Sequence, residues 1–131
     1  MNKILRFRAE SGCYALPVAN VERVLRPVGL VSLPSPRPGV AGVLDADGEL
    51  VTVLSLLGAE CSYVLVLTAE GRRFGLLVDE VVGVAEPSCD DLTGAPQGQE
   101  REMVLGAVAV GEEREVTMML DVAEIAAVLG P

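Results

Sequence analysis

An all-β fold assembled from many short strands is what this 131-residue sequence predicts, and three observations carry the prediction. Half of the residues are apolar and valine outnumbers leucine; branching at Cβ suits a pleated sheet better than a helix. Apolar and polar residues alternate with a period of two in short runs. Turn-forming residues separate those runs, and this density of short strands argues for barrels or a sandwich. The length fits a single domain over residues 1–131, large enough to hold a core without metal or disulfide.

The elements follow in chain order. Leu5, Phe7 and Ala9 alternate with Arg6 and Arg8, which predicts a half-buried strand over Lys3–Ala9. Further strands are expected at Cys13–Leu16, Val28–Leu33, Val40–Leu44, Glu49–Leu56, Tyr63–Thr68, Arg73–Val78, Val82–Glu86, Met103–Val110 and Glu115–Leu120. Asp45–Gly48, Glu70-Gly71 and Gly111–Arg114 have the composition of hairpin turns. Val18, Val21 and Leu25 would share one side of a helix, so a short helix is expected near 18–25. A second helix closes the chain: Asp121 caps it, Glu124 completes a capping box, and Ile125, Val128 and Leu129 form its apolar stripe before Gly130-Pro131. Pro34–Gly39 and Pro87–Glu102 read as loops, the second being the longest polar stretch and the more mobile.

The chain also repeats itself. YALPVANVERVLRP at 14–27 matches FGLLVDEVVGVAEP at 74–87 with one constant offset, pairing Tyr14 with Phe74, Leu16 with Leu76, Val18 with Val78, Val21 with Val81, Val24 with Val84 and Pro27 with Pro87. A weaker echo sets Val40-Ala41-Gly42 against Val104-Leu105-Gly106, and Val51-Thr52 against Val116-Thr117. Two similar β-subdomains packed together account for this, with repeat halves of roughly 5–60 and 63–129.

Composition excludes several functions. A formal charge of −9, with no Trp, two Tyr and two Phe, opposes nucleic-acid binding, which needs clustered cations and stacking surfaces. With no histidine there can be no Ser-His or Cys-His pair and no His-containing zinc site. Cys13, Cys61 and Cys89 are odd in number, widely spaced and without a C-x-x-C, which fits a reducing cytoplasm. The longest charge-free run is eleven residues, Ser11–Val21, well short of the ~20 a spanning helix needs. A soluble, cytoplasmic protein without membrane insertion is expected.

No cluster points to catalysis, a metal or a cofactor. Asp45–Glu49 resembles a calcium loop only until it is aligned, since Gly48 at loop position 6 places Val43 and Leu54 where ligands are required. Glu112, Glu113 and Glu115 around Arg114, like Asp90-Asp91, read as solvated turns, and Cys13 and Cys61 read as buried inert thiols. The protein is therefore expected to be no enzyme and to work by binding, with edge strands and prolyl loops as the places where binding happens.

The motifs identify a family resemblance. GLLVDEVVGV at 75–84 matches the G-hydrophobic-hydrophobic-V-D-x-V-x-x-V signature of the CheW-like chemotaxis coupling proteins. LPSPRPGVAGVLDADGELVTVLSL at 33–56 is similar to the family's L-P-x-x-P-x-x-V-x-G-V-x-N-x-R-G-x-x-V-P-V-V-D-L block, and LGAVAV with TMMLDVAEI resembles its closing strand, hairpin and helix. The resemblance runs from about Leu5 to Leu129. It implies two intertwined five-stranded, Src-homology-3-like β-barrels. It also implies an adaptor, part of a two-component signalling pathway, that links chemoreceptor cytoplasmic tips to the regulatory domain of the CheA histidine kinase, with self-association through barrel edges.

The departures from the family pattern mark the candidate contact residues. The N-x-R-G turn is Asp45-Ala46-Asp47-Gly48, the V-x-E-I segment is Val21-Glu22-Arg23-Val24, and Thr52 and Ser55 replace a proline and an aspartate. Both signs of the family's arginine and glutamate are thus reversed, and Arg23 and Asp47 are expected to form the pair in inverted form. Glu22, Arg23, Arg26, Asp45, Asp47, Gly48 and Glu49 are the expected partner-binding residues. Two other readings stay open: a diverged module recruiting a polarity, pilus or motility regulator, and a small-ligand binder using a cleft between the barrels.

Overall fold

The alternation at the N-terminus produces a strand, β1 (Ile4–Ala9), but one with both faces covered. This computed structural model describes residues 3–10, 12–33, 38–57, 62–87, 93–94, 103–110 and 114–130. The strands that follow are β2 (Gly12–Pro17), β3 (Val21–Leu25), β4 (Val40–Ala46), β5 (Glu49–Leu54), β6 (Tyr63–Ala69), β7 (Arg72–Val78), β8 (Glu80–Ala85), β9 (Val104–Val110) and β10 (Glu115–Leu120). Among the described residues one short α-helix, α1 (Val122–Ala126), follows β10 and runs into a 3₁₀ turn, Ala127–Leu129. Cys61, Cys89, Asp90-Asp91, Glu112-Glu113 and nearly all of the Pro87–Glu102 loop lie outside the described residues.

The strands form two five-stranded sheets, ordered β8-β1-β2-β10-β9 and β3-β6-β7-β5-β4. Advancing each strand of the second order by five where it comes from β1–β5, and reducing it by five otherwise, reproduces the first order. The two sheets are therefore topologically identical and intertwined, each completed by strands from the other half of the chain. They are the two Src-homology-3-like barrels of the fold, here called barrel 1 (containing β1) and barrel 2 (containing β6).

Register agrees with the repeat in detail. Phe7 faces Tyr14 in barrel 1 and Leu67 faces Phe74 in barrel 2. Val81 and Val84 on β8 pair with Phe7 and Leu5, while Val21 and Val24 on β3 pair with Leu67 and Leu65. Both edge strands are bulged at the same place, at Glu22 and at Val82. One part of the echo is corrected. Met118 lies beside Tyr14 where Thr52 lies beside Phe74, so Val51 corresponds to Thr117 rather than to Val116. Leu50 and Val116 are the matching exposed positions, at 71% and 55%, and Val51 and Thr117 the matching buried ones. The two-residue turn after β4 and the four-residue connection after β9 shift the following strands by different amounts.

Two other expectations are corrected. The helix expected near 18–25 is a single 3₁₀ turn, Val18–Asn20, followed by β3. The bulge at Glu22 breaks the strand's alternation, so Val21 and Val24 fall three apart and imitate a helical stripe. Val28–Leu33 is no strand; Val31 alone pairs, exchanging two 2.9 Å backbone hydrogen bonds with Val43 on β4. The close crossing needs glycine at position 42 (φ +158°), where a Cβ would stand 2.1 Å from the Val31 carbonyl oxygen.

The core has three parts. Val64, Val66, Leu77, Val51, Val53, Leu44 and Ala46 fill barrel 2, and Ile4, Ala15, Val108, Val110 and Met119 fill barrel 1. The largest cluster lies between them and draws on both sheets, including Phe7, Leu16, Leu54, Leu67, Phe74, Leu76 and Leu120, with Ile125 of α1. This shared layer holds Phe7, Tyr14 and Phe74, with Tyr63 packed against it. Asp121 caps α1 as expected, accepting from the N–H groups of Ala123 and Glu124. Its own N–H donates to the Met103 carbonyl at 2.7 Å, which takes the place a capping box gives Glu124.

Candidate functional site

The hairpin joining β4 and β5 turns at Asp47 (φ +56°) and Gly48 (φ +87°), the conformation of a type I′ turn, as its composition predicts. Asp45 stabilises it by accepting the Gly48 N–H at 2.6 Å. Asp47 is thereby carried out toward the edge strand β3, where it forms an ion pair with Arg23. Both side chains remain substantially solvent-exposed. The residues that reverse the family's charges therefore do meet across the mouth of barrel 2.

The neighbouring charges are joined by a residue the sequence reading missed. Arg73 at the start of β7 forks onto Glu22, its Nε and Nη2 each donating at 2.8 Å to one carboxylate oxygen. Its Nη1 donates to Glu49 at 2.9 Å. Glu22, beside Thr68 on β6, also accepts from the Thr68 hydroxyl at 3.5 Å. A row of side chains thus runs across four strands, β3, β6, β7 and β5. The two carboxylates raise the Arg73 pKa above its ordinary value, chiefly through the Glu22 hydrogen bonds. In the sequence Arg73 is only the first residue of the expected strand Arg73–Val78, with no local signal of its part in this row.

Arg26 is turned elsewhere. Its guanidinium stacks 4.4 Å from the centre of the Tyr63 ring and donates to the Ser62 carbonyl at 3.2 Å. Of the seven expected contact residues, five (Glu22, Arg23, Asp47, Gly48, Glu49) lie at one mouth of barrel 2, Asp45 shapes its turn, and Arg26 sits farther along the β3 side.

Barrel 1 carries a second charge cluster. Arg8 forks onto Glu115 at 2.7 and 2.9 Å, and Arg6 donates to the same carboxylate at 3.1 Å. The Arg8 hydrogen bonds hold the Glu115 carboxyl below its usual value. Asp79, the aspartate of the GLLVDEVVGV motif, anchors the β1–β2 turn by accepting the Glu10 N–H at 2.7 Å while its own N–H donates to the Arg8 carbonyl. Cys13 is buried, as expected, and takes a weak hydrogen bond from the Thr117 hydroxyl.

Between the barrels lies an open cleft of about 270 Å³, with Pro17, Asn20, Glu70, Leu105 and Leu120 among its walls. That is slightly below the ~300–1,000 Å³ of a small-molecule pocket and no aromatic side chain is among its described walls, so this cleft does not favour the ligand-binding reading. Among the described residues there is no group of three or more metal-ligating side chains and no helix long and apolar enough to cross a membrane.

Comparison with known proteins places this architecture. The crystal structure of the scaffolding protein TtCheW from Thermoanaerobacter tengcongensis is similar, with a TM-score of 0.80 at 19% identity, over 92% of this chain and 84% of that one. No curated protein matches the chain. The family model of the CheW-like domain matches residues 3–129. With the shared fold and a match over nearly its whole length, the chain belongs to the CheW-like domain family.

Proposed function

We propose that the protein is a non-enzymatic cytoplasmic adaptor that couples chemoreceptors to a CheA-type histidine kinase in a chemosensory pathway. The observation that carries this reading is the family match over residues 3–129. The architecture suits the role: two barrels of one topology present different side chains at equivalent positions, so a small protein has two distinct faces for two partners. Glu22, Arg23, Arg26 and the Asp45–Glu49 hairpin form the partner face of barrel 2. Contacts between copies through the sheet edges would extend the assembly. A pull-down of receptor signalling tips and of the kinase regulatory domain tests the proposal; capture of both is expected, and capture of neither removes it.

The reversed pair supports a second reading, in which the same fold recruits a polarity, pilus or motility regulator. A partner that offers a cation to the family's glutamate would meet Arg23 here, and like charges oppose docking. Genes for a receptor and a kinase beside this one favour the first reading; their absence favours the second.

A further inference from the structure

The two barrels allow a comparison inside one molecule, because their equivalent positions are known from register. In barrel 2 the bulged edge residue is Glu22, followed by Arg23, and the central strand carries Arg73. The corresponding residues of barrel 1 are Val82, Gly83 and Cys13. Gly83 has nothing within 4 Å of where a side chain would begin. Glu49 and Glu115 correspond in both barrels, but the cation that binds them does not. In barrel 1 it comes from β1, where Arg6 and Arg8 hold Glu115, Arg8 also lies 3.8 Å from Glu80 at the start of the edge strand, and Val82 offers no carboxylate. In barrel 2 it comes from β7 and reaches both ways, to Glu22 on the edge strand and to Glu49 on the hairpin.

Barrel 1 ties its edge strand through one longer contact, Arg8 to Glu80 at 3.8 Å, and has no counterpart of the fork that Arg73 makes on Glu22. Both barrels thus place an arginine between edge strand and hairpin strand, but only in barrel 2 does it fork onto the edge-strand carboxylate. The charged row of barrel 2 joins the two elements that make up the partner face, β3 and the β4–β5 hairpin, through one side chain that is itself four-fifths covered. Arg23 and Asp47 add a second tie between the same elements. Glu22 and Glu49 already have their cation, so they have little free charge to offer a partner.

We infer that Arg73 is the positioning residue of the partner face: it clasps the β4–β5 hairpin to β3 and so presets the surface that a partner meets. This rests on the adaptor reading for the partner's identity but not for the clasp itself. The bidentate fork matters, since a lysine in its place can hold Glu22 or Glu49 but not both in this geometry.

The test uses the full chain with Arg73→Ala and Arg73→Lys, followed by amide hydrogen exchange and by binding to the kinase regulatory domain and to a receptor tip. In Arg73→Ala, amides of β3 and of the hairpin should exchange about tenfold faster, while those of β8 and β9 in barrel 1 stay unchanged. Affinity for whichever partner uses this face should fall by a similar factor, with Arg73→Lys intermediate in both measurements. Salt should speed hairpin exchange in the wild type and do so less in Arg73→Ala, where the exposed Arg23–Asp47 tie remains. Unchanged hairpin exchange in Arg73→Ala would overturn the clasp. Faster exchange with unchanged affinity for both partners would overturn the positioning role. If the wild type binds neither partner the adaptor reading falls, and hydrogen exchange still decides whether Arg73 clasps the hairpin.

Discussion

At the scale of single residues, the ion pairs of the described residues gather in two groups, one in each barrel. Arg8 and Arg6 hold Glu115 in barrel 1, and the Glu115 carboxyl is kept below its usual value by the Arg8 hydrogen bonds. A carboxylate whose pKa is depressed by folding contributes stability above its unfolded pKa and loses it as pH falls through the folded one. Thermal unfolding should therefore show barrel-linked stability at neutral pH that declines on acidification below the ordinary carboxylate range. Glu115→Gln should lower the neutral-pH midpoint and flatten that decline; an unchanged pH profile would show that the ties of Arg6 and Arg8 have no energetic weight. Gly42 makes a sharper case. Because a Cβ there meets backbone rather than a movable side-chain end, Gly42→Ala should be among the most destabilising small substitutions in the chain, as urea denaturation would show.

At the scale of elements, most strands were legible because short apolar alternation and turn composition are local signals. The type I′ turns at Asp47-Gly48 and Glu70-Gly71 carry their own φ requirements in their sequence. The failures arise where a local signal was interrupted. β3 imitates a helix because its bulge resets the alternation, and the late echo slipped by one residue because the two hairpins differ in loop length. The expected site was legible in part: reversal of charge at Arg23 and Asp47 indicated their pairing, whereas Arg73 lies 51 residues from Glu22 in sequence and only topology brings them together. α1 offers an element-scale check. It is five residues long and depends on Asp121 to bind two of its free N–H groups. Asp121→Ala should cost about 1 kcal/mol in urea-induced unfolding, and a cost near zero would mean that packing of Ile125 alone holds the helix.

At the scale of the whole molecule, the decisive feature is the layer between the barrels. Phe74, Leu76, Leu16, Phe7 and Leu120 come from both sheets, and each sheet borrows strands from the other half of the chain. Neither barrel has a complete set of strands from one half of the sequence, so the two should unfold together. Probes placed in β3 and in β9 should report one transition with a common midpoint; separated midpoints would mean that the shared layer does not couple the barrels. The aromatic side chains gather in the shared layer, where Phe7, Tyr14 and Phe74 pack, while smaller aliphatic side chains fill the two barrel interiors. The same coupling holds two dissimilar faces in a fixed relation, which an adaptor requires if it is to touch a receptor and a kinase at once. Titration calorimetry of the full chain with the kinase regulatory domain, repeated after saturation with a receptor tip, measures that capacity directly. The adaptor role requires both partners to bind, each with little effect on the other's affinity; absence of binding to both, or mutual exclusion, would contradict it.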